Sequence, residues 1–527
     1  MRKVMPQKAQ ISRRTLLKAL GVTGGAMAAG SLAGCASPTG GPPPGSVTLG
    51  LNRSLVSLDN KLNQFDAAVT VQRAVRQGLT RIGTDLSPVP VLADTFELTA
   101  PTQWTVRLRE GVRYSDGSPV RIKDVSTALT MYQQVSGSYL AGFFPEWPTV
   151  VPVDERTFTL ETNRPLPVLD YLMANILVTP AAANVPEELQ SGVGSGPYVV
   201  TASNRGTGEY TLRRNRDYWG GPARVKQAQV RFVPEESNRV VGLRSGEIDI
   251  IDTITPDSAD QLSGQPDVSF ERVRGTRINQ LFYNFRKPDS HPLSKASVRQ
   301  ALSLAVDGER LAEEVLAGSA QPAVGPVAQT LNGAVSCGTY DYDPRRAKQM
   351  LEAEGIADGD LRLTLIWETG EFAGDTSVME AVVQMLGEIG VRVRLRQFEP
   401  GGDISKWRQG RAGDWDILGN GYASPVGAAL PILQGMYGGT PERERTRDTY
   451  QGYVNREVLA LLDQAYAEVD AERRQKITAR TQQVVWDSWP SMWAFVPNSV
   501  LAFRNRVTDV TLEATNSYQL ARVGLEG

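Results

Sequence analysis

LRLTLIWETGEFAGDTSVMEAVVQMLGEIGVRVRLRQF, residues 361–398, reads as a strand, a helix and a second strand in direct succession. Apolar residues occupy every second position over 361–367 and again over 391–395, which is the period of a half-buried strand. Between them, apolar residues recur at helical spacing over 376–388. Two strands joined by a helix need a crossover connection, which favours parallel pairing. The stretch therefore predicts an α/β unit.

The segment after this unit predicts a binding loop. Residues 415–418 (WDIL) indicate a third short strand, which breaks into GNGYASP at 419–425. Loops that follow the strands of an open parallel sheet are where such folds bind ligands. We therefore expect a site at 419–425, with an ordinary Gly/Pro turn as the alternative interpretation.

The first half of the chain is richer in strands. Four segments carry strand-like patterns: 96–108, 156–162, 206–215 and 228–234. Helices are predicted over 121–132 and 298–306, where apolar residues form one stripe. We find no internal repeat.

The first 35 residues have the three parts of an export signal: a basic start, a weakly apolar stretch over 19–34 and small residues before Cys35. Arg13 and Arg14, in SRRTLLK, resemble the twin-arginine signal, and LAGC at 32–35 resembles the lipobox, whose cysteine is lipidated. A membrane anchor is the alternative, but 16 residues fall short of the roughly 20 that a spanning helix needs. We expect a signal peptide over 1–34 and, over 35–46, lipidated Cys35 with a Pro/Gly/Ser tether.

Charge excludes a polyanion-binding function. The chain of 527 residues has 56 basic and 58 acidic residues. Without the six basic residues of the predicted signal, 50 basic residues face 58 acidic ones, a net charge of −8. Nucleic-acid binding normally needs a basic field.

Residue counts also restrict metal sites and catalysis. His291 is the one histidine, and Cys35 and Cys337 are the two cysteines. They cannot supply a site with two histidine ligands or four cysteine ligands. His291 precedes a proline in a polar turn, so we expect it to cap that turn. No catalytic machinery is visible, and we expect no enzyme, no cofactor, no metal site and, once Cys35 is lipidated, no disulfide.

Six separated parts of the chain carry a resemblance to a known family. They are VLADTFE at 91–97 with WTVRLREGVRYSDGSPV at 104–120, GSGPY at 194–198, RNRDYWGG at 214–221, LRSGEIDI at 243–250, FYNF at 282–285 and VRQALSLAVD at 298–307. In this order they resemble the family 5 extracellular solute-binding proteins of ABC importers, the peptide/nickel-binding group. The resemblance covers nearly the whole chain after the predicted signal.

The resemblance implies a fold. It is an α/β, two-lobed periplasmic-binding-protein-like fold with mixed sheets, a hinge and a strand-rich insert in lobe I. The implied boundaries are lobe I at 46–88, 192–273 and 495–527, the insert subdomain at 89–191 and lobe II at 274–494.

The resemblance also implies a function. The protein would be a substrate-binding lipoprotein that captures a peptide or peptide-like solute between closing lobes and delivers it to a membrane permease. It would be a monomer on the outer face of the cell membrane or in the periplasm, held there by the lipid on Cys35. An exported sensor or chaperone with the same fold is an alternative.

The predicted loop bears on the ligand. Peptide binders of this family place an aspartate there, before an aromatic residue and a proline, to pair with the peptide's amino group. Gly421 stands at that place here. Tyr422 with the following Ala-Ser-Pro resembles the nickel-type loop instead, but those relatives use a histidine near the metal complex. We therefore expect no bare metal ion, and a metal chelate or an opine-like molecule is the alternative to a peptide.

Five residues are expected in the pocket. Tyr422 and Trp367 would be aromatic walls, and Asn420 would be a polar contact. Phe65 would approach from lobe I. Arg277 would bind a ligand carboxylate, which a guanidinium contacts in two-pronged fashion. Core packing or a solvated position is the alternative interpretation for each.

Overall fold

The computed structural model describes residues 44–55, 58, 61, 66–134, 139–181, 192–204, 206–372, 374–399, 402–408, 412–439 and 451–526. The predicted signal peptide, Cys35 and most of the predicted tether lie outside the described residues.

Strands are more frequent in the first half of the chain, and strands alternate with helices over residues 320–422. The strands are β1 (Ser46–Leu51), β2 (Thr80–Ile82), β3 (Pro88–Pro90), β4 (Ala93–Ala100), β5 (Gln103–Leu108), β6 (Thr149–Pro152), β7 (Thr157–Glu161), β8 (Tyr198–Asn204), β9 (Glu209–Arg214), β10 (Gln227–Phe232), β11 (Ile250–Asp252), β12 (Val268–Arg274), β13 (Ile278–Tyr283), β14 (Ala320–Pro322), β15 (Arg362–Glu368), β16 (Arg392–Phe398), β17 (Ile417–Tyr422), β18 (Ser491–Arg504), β19 (Val507–Thr508) and β20 (Gly524–Leu525). The α-helices are α1 (Asp66–Val75), α2 (Ile122–Gln134), α3 (Leu169–Met173), α4 (Glu236–Ser245), α5 (Pro256–Ser263), α6 (Ala296–Leu304), α7 (Gly308–Arg310), α8 (Pro344–Ala353), α9 (Asp375–Glu388), α10 (Ile404–Arg408), α11 (Ala429–Tyr437), α12 (Arg456–Ala467) and α13 (Ala471–Asp487). Short 3₁₀ turns occupy Tyr139–Gly142 and Pro292–Ser294, and a π-helical turn occupies Leu311–Val315.

One large mixed sheet organises the molecule. Its strand order is β16-β15-β17-β13-β18-β11-β1-β10-β9-β8, and β12 and β14 also pair with β18. β15 is parallel to both β16 and β17, and α9 connects β15 to β16. The strand–helix–strand unit predicted from 361–398 is therefore confirmed.

β18 belongs to both halves of this sheet. Its first residues pair with β13, at Ala494 and Phe495, whereas Leu501–Phe503 pair with β11. β12 runs beside β18 from Asn498 to Arg504. The chain passes between the two halves a second time over 275–277, between β12 and β13.

The strand predicted at 415–418 is displaced and longer in the structure. β17 begins at Ile417 and continues through Tyr422, so the predicted loop at 419–425 is strand in its first half. The physical reason is the antiparallel partner β13, which pairs with every residue of β17, including Asn420 opposite Gln280. Backbone hydrogen bonds from this partner hold a glycine-rich segment extended.

Strands between residues 93 and 161 form a separate antiparallel sheet, in the order β4-β5-β7-β6. Side chains of this region, such as Trp104 and Phe143, share one hydrophobic cluster with residues of α11 and α12, such as Leu433 and Leu462. Burial of this cluster against α11 ties residues 92–178 to the C-terminal helices. The lobe boundaries given above remain a prediction.

Two local features agree with the sequence. α9 spans Asp375–Glu388, close to the predicted 376–388, and buries Val378, Val382 and Leu386. His291 caps its turn as expected, because its Nδ1 accepts a hydrogen bond from the backbone N–H of Leu293 at 3.2 Å.

In the part of the chain that the structure describes, no helix has the length and apolar character needed to cross a bilayer.

Asp170 on α3 gives a testable pH dependence. Burial raises the pKa of Asp170 to about 6, and a hydrogen bond from the Tyr171 N–H and the charge of Arg474 oppose this only in part. The folded protein therefore binds a proton more tightly than the unfolded chain, and stability falls as pH rises through the window from about 4 to 6. We expect Asp170→Asn to raise the free energy of unfolding by about 1–2 kcal/mol at pH 7.5 and to change it little at pH 4.

Urea unfolding at the two pH values measures this difference. Asp463→Asn is the matched control, because this aspartate is exposed and makes only a surface ion pair with Arg164. Equal stability of Asp170→Asn and the wild-type protein at pH 7.5 would contradict the prediction.

Candidate functional site

A cavity of about 560 Å³ lies where the two halves of the main sheet meet. Its lining includes the segments that follow β1 and β15, the connection between β12 and β13, and the first residues of α5. The ends of α10 and β17 and the middle of β18 complete this part of the lining. The volume falls within the roughly 300–1,000 Å³ typical of small-molecule sites. Its position beside the carboxyl ends of the parallel strands β15 and β17 follows the rule for ligand sites in α/β sheets.

The end of β17 supplies one wall of the cavity. Asn420 and Tyr422 both line it, as does Gly421 between them. Asn420 is buried, and its Oδ1 accepts a hydrogen bond from the Gly421 N–H at 2.6 Å. The ring of Tyr422 meets the ring of Phe143 edge to face, with centroids 5.9 Å apart. This contact holds Tyr422 as a fixed aromatic surface.

Arg277 also lines the cavity, but its guanidinium is already bound to a carboxylate of the protein. Its Nη2 lies 2.5 Å from Oε2 of Glu371, and its Nε donates a hydrogen bond to Oδ1 of Asn279 at 2.9 Å. The side chains of Arg277 and Glu371 are 22% and 13% exposed. The sequence-predicted Arg277 thus lines the cavity, and its partner Glu371 was not among the predicted residues.

Two further arginines approach the acidic residues of this segment, Glu371 and Glu368. Nη2 of Arg408 lies 3.9 Å from Oε1 of Glu371. Arg53, from the segment after β1, lies 3.7 Å from Oε1 of Glu368 and donates a hydrogen bond to the carbonyl of Gly370 at 3.3 Å. Sequence reasoning missed both arginines, because neither lies in a motif and they come from distant segments.

The charges of this cluster control the protonation of its two acids. Burial on its own would raise the pKa of Glu371, but Arg277, Arg53 and Arg408 hold that pKa below its usual value. Burial and the neighbouring charge of Glu371 raise the pKa of Glu368. Glu371 is therefore ionised at neutral pH and balances part of the arginine charge.

Gly421 leaves no room for a side chain. A Cβ atom built there would overlap Oδ1 of Asn279 and the guanidinium of Arg277. The family resemblance implies an aspartate at this position in peptide binders, whereas here Asn279 and Arg277 fill the space.

Trp367, another of the predicted pocket residues, does not line the cavity. Trp367 is 3% exposed and packs with Met379 and Phe372 in a hydrophobic cluster, outside the residues that line the cavity. Core packing, the alternative interpretation, describes its position. Phe65 lies outside the described residues. Among the described residues, no group of three or more His, Cys, Asp or Glu side chains is placed to hold a metal ion.

Sequence comparison connects the chain to known proteins. The family profile described as "Bacterial extracellular solute-binding proteins, family 5 Middle" matches residues 87–443. The chain is 25% identical over 416 residues to the "Probable D,D-dipeptide-binding periplasmic protein DdpA" of Escherichia coli (strain K12), covering 77% of this chain and 78% of that protein. It is 24% identical over 466 residues to the "Glutathione-binding protein GsiB" of Salmonella typhimurium (strain LT2), covering 85% and 89%.

Structure comparison gives the same fold. The periplasmic binding protein AgaA of A. tumefaciens R10, solved in complex with agropinic acid, matches with a TM-score of 0.79 at 23% identity, covering 92% of this chain and 98% of that chain. The chain thus has the two-lobed, mixed α/β fold of the periplasmic binding proteins.

Proposed function

This chain belongs to family 5 of the bacterial extracellular solute-binding proteins, and we propose that it captures a short peptide or peptide-like solute for an ABC importer. Its activity is binding and not catalysis. The observation that carries the proposal is the cavity, because both predicted lobes supply its walls: Arg53 and Asn516 from lobe I, Glu371 and Tyr422 from lobe II.

The cavity and the relatives both support a short solute. DdpA is described as a probable D,D-dipeptide-binding protein and GsiB as a glutathione-binding protein. D,D-dipeptides and glutathione are both short peptides. A cavity of about 560 Å³ suits a ligand of this class. We therefore propose a short solute and not an extended oligopeptide.

Capture requires the predicted lobes to close on the solute. The proposed hinge lies where β18 changes its partners and where residues 275–277 join β12 to β13. A solute that contacts both walls binds the closed state more tightly and shifts the population toward it. The closed, loaded state would then be the one that the membrane permease recognises.

Export and anchoring complete the proposal. A twin-arginine signal would carry the folded protein across the membrane, and a lipid on Cys35 would hold the monomer at the outer face of that membrane. The Pro/Gly/Ser-rich segment between Cys35 and β1 would act as a spacer between the lipid and the folded domain.

The lipid anchor makes a separate prediction. We expect Cys35→Ser to lose incorporation of a labelled fatty acid and to leave the membrane fraction, because the thiol that would carry the lipid is absent. Cys337→Ser is the matched control, and it should keep both the label and the membrane location. A labelled, membrane-bound Cys35→Ser protein would contradict the anchor.

A ligand screen tests the binding function. The purified protein is heated with free peptides, N-blocked peptides, opine-like acids, and nickel or iron chelates. A ligand at a hundred times its dissociation constant stabilises the fold by about 2.7 kcal/mol, which raises the melting temperature measurably. A shift with any peptide or opine-like acid supports the proposal, a shift with chelates alone supports the metal-chelate alternative, and no shift in all four classes contradicts solute capture.

The opine-like alternative has an observation in its favour. Arg277 fills the space beside Gly421, so no carboxylate stands there to pair with a peptide amino group. AgaA, which has the same fold, is described with agropinic acid. A sensor or chaperone would bind in the same way, and uptake of labelled ligand in cells with and without the permease separates these functions from import.

A further inference from the structure

The charge of the cavity is opposite to the charge of the chain. Of the residues that the structure describes, the charged ones that line the cavity are Arg53, Arg272, Arg277, Arg408, Asp260 and Glu371. Four cations and two anions give a local excess of two positive charges. Glu368, which lies behind Arg53, reduces the excess to one but does not reverse it. The chain without its predicted signal has a net charge of −8, so this excess is a local property of the cavity.

The carboxylates of the cavity are poorly placed to bind an ammonium group. Glu371 already has Arg277 at 2.5 Å and Arg408 at 3.9 Å. Its pKa is held below the usual value although burial opposes ionisation, which shows that the arginines dominate its surroundings. Asp260 is exposed at the edge of the cavity, on α5. A cationic ligand group would therefore face more repulsion than attraction.

Arg53 and Arg408 come from different predicted lobes. Arg53 follows β1, whereas Arg408 ends α10. The positive charges of both arginines lower the pKa of Glu371. A guanidinium presents a planar fork of donors that matches a carboxylate or phosphate. An anionic group that reaches both arginines would add a third carboxylate to a cluster in which three arginines now share Glu371 and Glu368.

We propose that the solute is an anion whose carboxylate binds at Arg53 and Arg408, and that a free amino terminus is not required for recognition. This inference rests on the proposed function and specifies its substrate class. Acidic or N-blocked short peptides and opine-type acids belong to this class. Peptides recognised through their ammonium group do not.

Calorimetric titration of the purified protein with paired ligands tests the inference. The probes are N-acetyl-alanyl-alanine and an N-(1-carboxyethyl) amino acid, each as the acid and as the corresponding amide, together with alanyl-alanine amide, which carries only an ammonium group. We expect at least one acid to bind at least tenfold more tightly than its amide and the ammonium probe to bind most weakly. Arg408→Gln should weaken binding of that acid at least tenfold. Arg480→Gln, an exposed arginine paired with Glu457 outside the cavity, should leave the affinity unchanged.

The outcomes separate this inference from the proposed function. Amides that bind as well as the acids, or an ammonium probe that binds best, overturn the inference and leave solute capture intact. The same holds if neutral or cationic members of the wider ligand screen bind while every acid fails. If no probe and no member of that screen binds, both solute capture and the inference are wrong.

Discussion

Arg277→Ala is expected to lower the free energy of unfolding by about 2–4 kcal/mol at pH 7. Removing one partner of a buried ion pair typically costs about 3–5 kcal/mol, because the remaining charge stays buried without its counter-ion. Glu371 would be that charge, with its side chain only 13% exposed. The expected value lies somewhat below the typical one because Arg408 remains 3.9 Å away. Urea unfolding of the two proteins measures the difference.

The pH dependence distinguishes this explanation from a simple loss of packing. In the wild-type protein the pKa of Glu371 lies below its usual value, so its contribution to stability is present above the unfolded-state pKa and is lost as pH falls through the folded-state pKa. In Arg277→Ala the pKa of Glu371 should rise, and the deficit relative to wild type should shrink toward pH 4.

Two variants serve as controls for Arg277→Ala. Arg277→Ala combined with Glu371→Gln should recover part of the lost stability, because the buried charge of Glu371 is then removed together with that of Arg277. Arg480→Ala removes an exposed ion pair and should cost no more than about 1 kcal/mol. A deficit that is equal at both pH values and unchanged in the double variant would contradict the buried-charge explanation.

Local sequence pattern was sufficient for the parallel unit. The alternation over 361–367 and 391–395 and the helical stripe between them correspond to β15, α9 and β16. The extent of β17 was not predictable in this way, because its glycines indicate a loop. Its extended conformation depends on pairing with β13, a partner far away in the sequence. Local pattern carries no information about such long-range pairing.

β18 also depends on partners that are distant in the sequence. Its sequence, SMWAFVPNSVLAFR at 491–504, contains Pro497, and the predicted boundary between the two lobes falls within it at 494/495. The structure forms one continuous strand there. Pro497 faces Ala320 of β14, which pairs with β18 only over Phe495–Pro497. A proline lacks a hydrogen-bond donor and is tolerated where pairing is short or irregular.

The candidate site was predictable where strand ends define it. Tyr422 and Asn420 line the cavity because β17 ends there, next to the parallel strand β15. The position of Trp367 was also readable from the alternation, since it shares a strand face with Leu363 and Leu365, both buried. That face packs beneath α9, so Trp367 belongs to the core.

Arg53, Arg408 and Glu371 could not be selected from sequence. They are three of 114 charged residues and lie on separate segments that only the tertiary fold brings together. The one available signal was the glycine at 421, where the family resemblance implies an acid. The structure gives that glycine a physical role, because its missing side chain makes room for Arg277.

Gly421→Ala is expected to lower the free energy of unfolding by about 1–3 kcal/mol, the usual cost of adding a methyl group to a filled site. The new Cβ would overlap Oδ1 of Asn279 and the guanidinium of Arg277. Asn279 is buried and hydrogen-bonded to Arg277, so neither side chain moves aside without losing a contact. Thermal unfolding should show a lower melting temperature than that of the wild-type protein.

Gly387→Ala is the matched control, because a Cβ there meets nothing within 4 Å and the position lies in α9. Glycine costs a helix about 0.5–1 kcal/mol relative to alanine, so this control should be slightly more stable than the wild-type protein. Combining Gly421→Ala with Arg277→Ala isolates the steric conflict: once the guanidinium is gone, the added methyl group should cost less than in the single variant. Strictly additive losses of stability would contradict a steric conflict with Arg277. A Gly421→Ala protein as stable as the wild-type protein would show that the added methyl group meets no steric conflict at this position.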